Sequence, residues 1–147
     1  MKFKNILVPV SGTNVDEEAI RLACRLAKVD KAKIWAVYVI PIQRTLPLDV
    51  EIETEVQKAE GVLDRIERVA KGDNYVIETD LLQAREAGPT IVDEAIEREV
   101  DLILMGVSYK RRFGQFSLGS VVPYVLKNAP CRVILYHQYI PPTEDET

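Results

Sequence analysis

Histidine is almost missing and cysteine is scarce: the 147 residues include one histidine, His137, and two cysteines, Cys24 and Cys131, far apart in the chain. One histidine cannot furnish a His-based metal site, and the two thiols make neither a CxxC pair nor a disulfide framework. Zinc chemistry and Ser-His-Asp catalysis are therefore not expected, and no catalytic or metal-ligating set is proposed from the sequence. Long apolar runs are missing too; none approaches the ~18–20 residues that span a bilayer. Met1-Lys2-Phe3-Lys4-Asn5 leads straight into a strand-like segment, without the apolar stretch of a signal peptide. Positive charge is not in surplus. Lys and Arg number 19 against 23 Asp and Glu, and the net charge of −4 argues against a nucleic-acid-coating surface. These absences predict a cytoplasmic globular protein without nucleic-acid or membrane partners. What is present is apolar material, 47% of the residues, enough for one sizeable core.

That material alternates in period. Ile6-Leu7-Val8-Pro9-Val10 is a short β-branched run closed by Ser11-Gly12. Ala19, Leu22, Ala23 and Leu26 then recur at helical spacing, with Thr13 and Asn14 as candidate N-caps and Asp16 and Glu17 in the first turn. Ile34–Ile40 reads as a second strand, ended by Pro41. Ile52, Val56, Ala59, Leu63, Ile66 and Ala70 form one stripe on a long helix, stopped by Gly72-Asp73-Asn74. A third strand is predicted around Tyr75–Leu82, and a helix opening at Gly88-Pro89 with Pro89 at its first position. Leu102–Met105 is a fully apolar fourth strand; Val121, Val122, Val125 and Leu126 mark a last helix; Val133–Tyr136 is the fifth strand. Strands alternating with helices predict a parallel sheet with right-handed crossovers and helices on both faces. The expected architecture is an α/β, three-layer α/β/α domain over residues 1–140, followed by an acidic tail over 141–147. Pro41–Asp49 and Val107–Leu118 are the long loops.

In open α/β sheets, ligands bind beyond the carboxyl ends of the strands where strand order reverses. Pro9-Val10-Ser11-Gly12-Thr13 follows the first strand, and Gly106 closes the fourth. Gly119-Ser120 stands at the entrance of the last helix, whose first-turn N–H groups lack intrahelical partners. Pro123 is tolerable there only if the helix begins just before it. A phosphate-sized anion site at Gly119–Val122 and an ordinary loop-to-helix cap are both compatible with these residues.

From Gly106 to Ser120 the chain reads Gly-x-x-Tyr-x9-Gly-Ser. It resembles the Gly-x-x-Gly-x9-Gly-Ser/Thr motif that follows the fourth strand in the universal stress protein family, with Tyr109 in place of the second glycine. The opening Lys4–Val10, the stretch Gly88–Gly106 and the close Leu118–Leu135, with Asn128-Ala129-Pro130, are similar to that family as well. The resemblance implies a five-stranded parallel sheet in order 3-2-1-4-5, Rossmann-like and of the adenine nucleotide alpha-hydrolase type. It implies a homodimer paired through the last strand, here Val133, Ile134, Leu135 and Tyr136. In one branch of the family it implies ATP or AMP, ATP with Mg2+, bound between the first and fourth strands. The residues corresponding to that site are Pro9, Val10, Ser11, Val39, Gly106, Tyr109, Gly119, Ser120 and Val121. Adenine would pack near Val39, and the phosphates would meet Gly106, Gly119, Ser120 and Val121. Ser11 stands where an acidic residue usually takes the ribose hydroxyls.

The expected function is a stress-response or signalling module with a weak adenine-nucleotide site and at most slow ATPase activity. A nucleotide-free dimerisation and docking module of the same fold is the alternative. Ser11–Asp16 also resembles the phosphate loop of adenylylating ATP pyrophosphatases, but Thr13 and Val15 replace a glycine and an aspartate that chemistry needs. A response-regulator receiver is excluded because the first strand does not end in acidic residues. Lys110-Arg111-Arg112 could neutralise phosphates or form a solvated loop. Phe113 and Phe116 are read as loop anchors, Cys24 and Cys131 as packing residues, and His137 as a surface or interface residue.

Overall fold

The computed structural model describes residues 2–107, 111–112, 115–116 and 119–138. Tyr109, Lys110, Phe113, Gly114 and the predicted tail 141–147 lie outside the described residues. The elements run β1 (Asn5–Val10), α1 (Val15–Asp30), β2 (Lys33–Pro41), α2 (Glu53–Gly72), β3 (Glu78–Ala84), α3 (Ala87–Glu97) and β4 (Leu102–Val107). They continue with β5 (Arg111–Arg112), β6 (Gln115–Phe116), α4 (Val121–Asn128) and β7 (Arg132–His137). The main sheet has five strands in the order β3-β2-β1-β4-β7, all parallel. The predicted fifth strand is thus β7, and the expected order is observed. β5 and β6 form a two-residue antiparallel ladder inside a stretch read from sequence as loop.

The alternation along the strands shows why they are apolar throughout. Ile6, Val8 and Val10 of β1, Ile34, Ala36 and Tyr38 of β2, and Leu102 and Leu104 of β4 pack with α1 and α2 in one cluster. Leu7, Val37, Ile103, Met105 and Val107 point the other way, into a second cluster with α3 and α4. Successive strand side chains face opposite sides, so a strand covered on both needs apolar residues at every position.

Two local readings are corrected. The third strand starts at Glu78, not Tyr75. Asn74 takes a left-handed φ of 60°, the Tyr75 N–H returns to the Ala70 carbonyl, and the Tyr75 hydroxyl donates to the Ala32 carbonyl, so Tyr75 closes α2 and Val76 is left 79% exposed. Pro89 is the third residue of α3 rather than the first, still within the turn whose N–H groups have no helical acceptor. On α4, Val122 and Val125 are buried but Leu126 is exposed. The loop after β2 is tied to β3 and its end. Gln83 Nε2 donates to the carbonyls of Leu48 and Val50 at 2.8 Å each, and Arg85 Nη1 donates to those of Gln43 and Leu46 at 2.6 and 2.8 Å.

Candidate functional site

β1 and β4 are neighbours, with Ile6 opposite Leu102 and Leu7 opposite Ile103. A cavity of about 250 Å³ opens at their carboxyl ends. Pro9, Val10 and Ser11 contribute from β1 and its turn, Val37 and Val39 from β2, and Met105, Gly106 and Val107 from β4. Ala87 and Ile91 of α3 and Val121 and Val122 of α4 close it, with Thr13 at the approach to α1. Among the described residues, no charged side chain lines it.

The sequence-predicted residues Pro9, Val10, Ser11, Val39, Gly106 and Val121 come together here. Ser120 instead lines an adjoining cavity of about 390 Å³ with Pro41, Arg85 and Tyr124, which shares Ala87 and Val121 with the first. Gly119 is exposed and lines neither cavity, and Tyr109 lies outside the described residues. Val37, Ala87, Ile91, Met105 and Val107 escaped sequence reasoning, because an apolar residue lining a cavity looks like any core residue until the fold is known. Thr13, which the sequence marks as part of the turn and a candidate cap, lines the cavity as well.

The β1–α1 turn is organised by an acidic residue of the first turn of α1. Asp16 is only 2% exposed. Its Oδ2 accepts the Gly12 N–H at 2.7 Å and the Ser11 N–H at 3.2 Å, while its own N–H donates to the Thr13 carbonyl at 3.2 Å. Burial pushes its pKa above the ordinary 3.8, against the pull of the Gly12 and Ser11 N–H groups and of the Arg65 charge. Asn14 holds the N-cap position but makes no side-chain capping bond. The amides of Ser11 and Gly12 are therefore engaged within the protein.

The glycines of the predicted phosphate loop serve different ends. A Cβ on Gly106 would come within 3.0 Å of Val15 Cγ1 and 3.3 Å of Ala19 Cβ, so bare backbone is needed there for β4 to lie against α1. At Gly119 a Cβ would meet nothing within 4 Å, but the φ of +69° favours glycine. Gly12 has both constraints, a φ of +90° and Val62 Cγ2 at 3.3 Å from a Cβ.

Along β7, Val133 packs against one core cluster and Ile134 against the other. The Tyr136 hydroxyl donates to Glu18 of α1 at 2.7 Å, and that bond raises the phenol's pKa. Leu135 is the exposed apolar residue of this edge, at 36%. His137 is exposed at the strand's end. Cys24 is fully buried, and burial pushes its thiol up to about 11; the half-buried Cys131 is raised by the same cause. Neither thiol is poised as a thiolate at neutral pH. Among the described residues, no group of three or more His, Cys, Asp or Glu could hold a metal ion, and no helix is long and apolar enough to cross a membrane.

Sheet order, crossovers and a cleft at the β1–β4 switch point together define a doubly wound α/β module with a small-molecule-sized pocket. The universal stress protein family profile matches residues 2–137, and the chain belongs to that family. A universal stress protein of Methanocaldococcus jannaschii is 32% identical over 139 residues, covering 90% of this chain and 81% of its own. The structure of universal stress protein UspA from Lactobacillus plantarum superposes with a TM-score of 0.77 at 25% identity, over 92% of this chain and 99% of that one. A universal stress protein from Archaeoglobus fulgidus, solved in complex with dAMP, shares the fold with a TM-score of 0.71 at 23% identity, over 92% of this chain and 98% of its own.

Proposed function

We propose that this universal stress protein is a cytoplasmic, homodimeric module of the stress response that binds an adenine nucleotide, AMP or ATP, weakly in the cavity between β1 and β4. The observation that carries the reading is the convergence of Pro9, Val10, Ser11, Val39, Gly106 and Val121 on one pocket at the switch point. Val37, Val39, Ile91 and Met105 offer apolar walls suited to a flat base. The dAMP complex of the Archaeoglobus relative supports a nucleotide as the ligand class. Affinity is expected to be modest. Ser11 offers a neutral hydroxyl where a carboxylate would make a charge-assisted bond, a difference of about 1 kcal/mol or roughly fivefold. Any Mg2+ would arrive with the phosphates of ATP. Gly119 and Ser120, beside the adjoining cavity, would meet a phosphate only if the ligand reaches past Val121.

Binding rather than turnover is the proposed activity, carried by one α/β unit over residues 1–140, with 141–147 as a solvated tail. Thermal unfolding with and without AMP, ATP and Mg2+ tests it, since a ligand selective for the folded state raises the midpoint with concentration. An unchanged midpoint at millimolar nucleotide refutes the nucleotide and favours the docking alternative, for which the occupied Ser11 and Gly12 amides would then be the reason. Dimerisation through β7 is proposed because the strand is an edge with Leu135 outward, and an unused apolar edge is a pairing liability. Sedimentation should show a dimer at micromolar concentration that Leu135→Glu converts to monomer.

A further inference from the structure

We propose that the cavity adjoining the first is the anionic half of one two-part ligand site, and that Arg85, just after β3, is the cation that selects a nucleotide over its uncharged nucleoside; this rests on the nucleotide reading above and deepens it. At about 250 Å³ the first cavity is smaller than the ~300–1,000 Å³ of small-molecule sites, and its neighbour adds about 390 Å³ beside the shared walls Ala87 and Val121. Among the described residues no charged side chain lines the first cavity, so a phosphate held there would lose water without gaining a counter-charge. The second has Arg85 in its lining. That guanidinium is tethered through one nitrogen. Nη1 donates to the Gln43 and Leu46 carbonyls at 2.6 and 2.8 Å, and more weakly to that of Ile42 at 3.5 Å. Among the described residues Nε and Nη2 make no hydrogen bond, and no carboxylate pairs with Arg85. Nε and Nη2 are the adjacent pair of donors that an oxyanion takes bidentately. Held at its other edge, the guanidinium has less side-chain freedom left to lose on binding. Ser120, the N-cap of α4, lines the same cavity without a capping bond of its own, so the positive end of that helix adds to the field of the arginine. Glu86, exposed in the same lining, opposes it.

Titration calorimetry with AMP and adenosine, on the unmodified chain and on Arg85→Gln, Arg85→Lys and Glu86→Gln, tests the assignment. The unmodified chain should prefer AMP to adenosine by about tenfold, the low end for a charge-assisted bond because Arg85 is exposed. Arg85→Gln should weaken AMP by about five- to tenfold and leave adenosine within twofold. Arg85→Lys keeps the charge without the paired donors and should fall between. Glu86→Gln removes the opposing charge and should tighten AMP, by at most about threefold, but not adenosine. Added salt should shrink the preference for AMP in the unmodified chain and leave Arg85→Gln little changed. If Arg85 serves only to hold the loop after β2, its replacement weakens both ligands alike; equal loss would overturn the inference. A preference for AMP that survives Arg85→Gln would also overturn it, since the phosphate would then be read elsewhere. Adenosine binding as tight as AMP binding in the unmodified chain would leave a nucleoside site and remove its anionic half. No binding of either by the unmodified chain would remove the nucleotide reading, and this inference with it.

Discussion

The two helix entrances beside the cavity are built in opposite ways. At the β1–α1 turn a buried carboxylate, Asp16, gathers the Ser11 and Gly12 amides, and a Cβ on Gly12 would stand 3.3 Å from Val62 Cγ2 of α2. At the entrance of α4, Ser120 stands at the N-cap without a side-chain capping bond, Gly119 has open space around it, and both are exposed. The first turn, although Ser11 and Gly12 are exposed, is tied by their amides to a buried carboxylate. The second has no side-chain cap at Ser120 and takes its shape from the left-handed φ of Gly119. The two sides of the same pocket are thus held by different means, a side-chain latch on one and backbone conformation on the other, and the glycines that look alike in sequence do different work.

Removing the latch should have the largest effect. Asp16→Ala strips the acceptor from two turn amides and should cost about 2 kcal/mol in urea unfolding. Substituting the glycines comes next. Alanine at either position pays the left-handed strain of ~1–2 kcal/mol, and Gly12→Ala must in addition displace Val62, so its midpoint should fall further than that of Gly119→Ala. Equal losses would mean that the two turns are equally tight. A smaller, pH-dependent difference should separate the unmodified chain from Asp16→Asn. Because the folded-state pKa of Asp16 lies above the ordinary 3.8, the folded protein holds that proton more tightly than the unfolded chain. The contribution is therefore fully present below pH 3.8 and is lost as pH rises through the raised value. Stability relative to Asp16→Asn, followed by unfolding at a series of pH values, should decline with rising pH in that window; an opposite slope would show that the amide bonds outweigh desolvation. The smallest effect is expected at the open entrance. Ser120→Ala should change stability by less than about 0.5 kcal/mol, because no capping bond is lost.

Much of the site was legible before the fold, for reasons that differ residue by residue. Pro9, Val10, Ser11 and Gly106 stand at strand ends, and strand ends in a doubly wound sheet are where ligands meet the protein. Val39 and Val121 followed from the family resemblance. Val37 and Met105 could not be picked out, since an apolar residue carries no mark of whether it faces a neighbour or a void. Asp16 stands in the first helical turn as its place in the sequence indicates, but its burial was not legible there, since an acidic residue at that position is ordinarily solvated; only the folding back of Ser11 and Gly12 makes it a buried acceptor.

The sequence alone determined the alternation of strands and helices, the parallel sheet, its order through the family motif, and the neighbourhood of β1 and β4. These depend on local period and on the short connections that make one crossover hand favourable. Tertiary structure decided which residues of that frame do which work. Gly106 is bare for the sake of Val15, Tyr75 ends a helix instead of starting a strand, Ser120 belongs to the neighbouring cavity, and Thr13 holds a buried hydroxyl with no partner among the described residues. Such outcomes depend on contacts between segments far apart in the chain, and no local spacing encodes the distance between them.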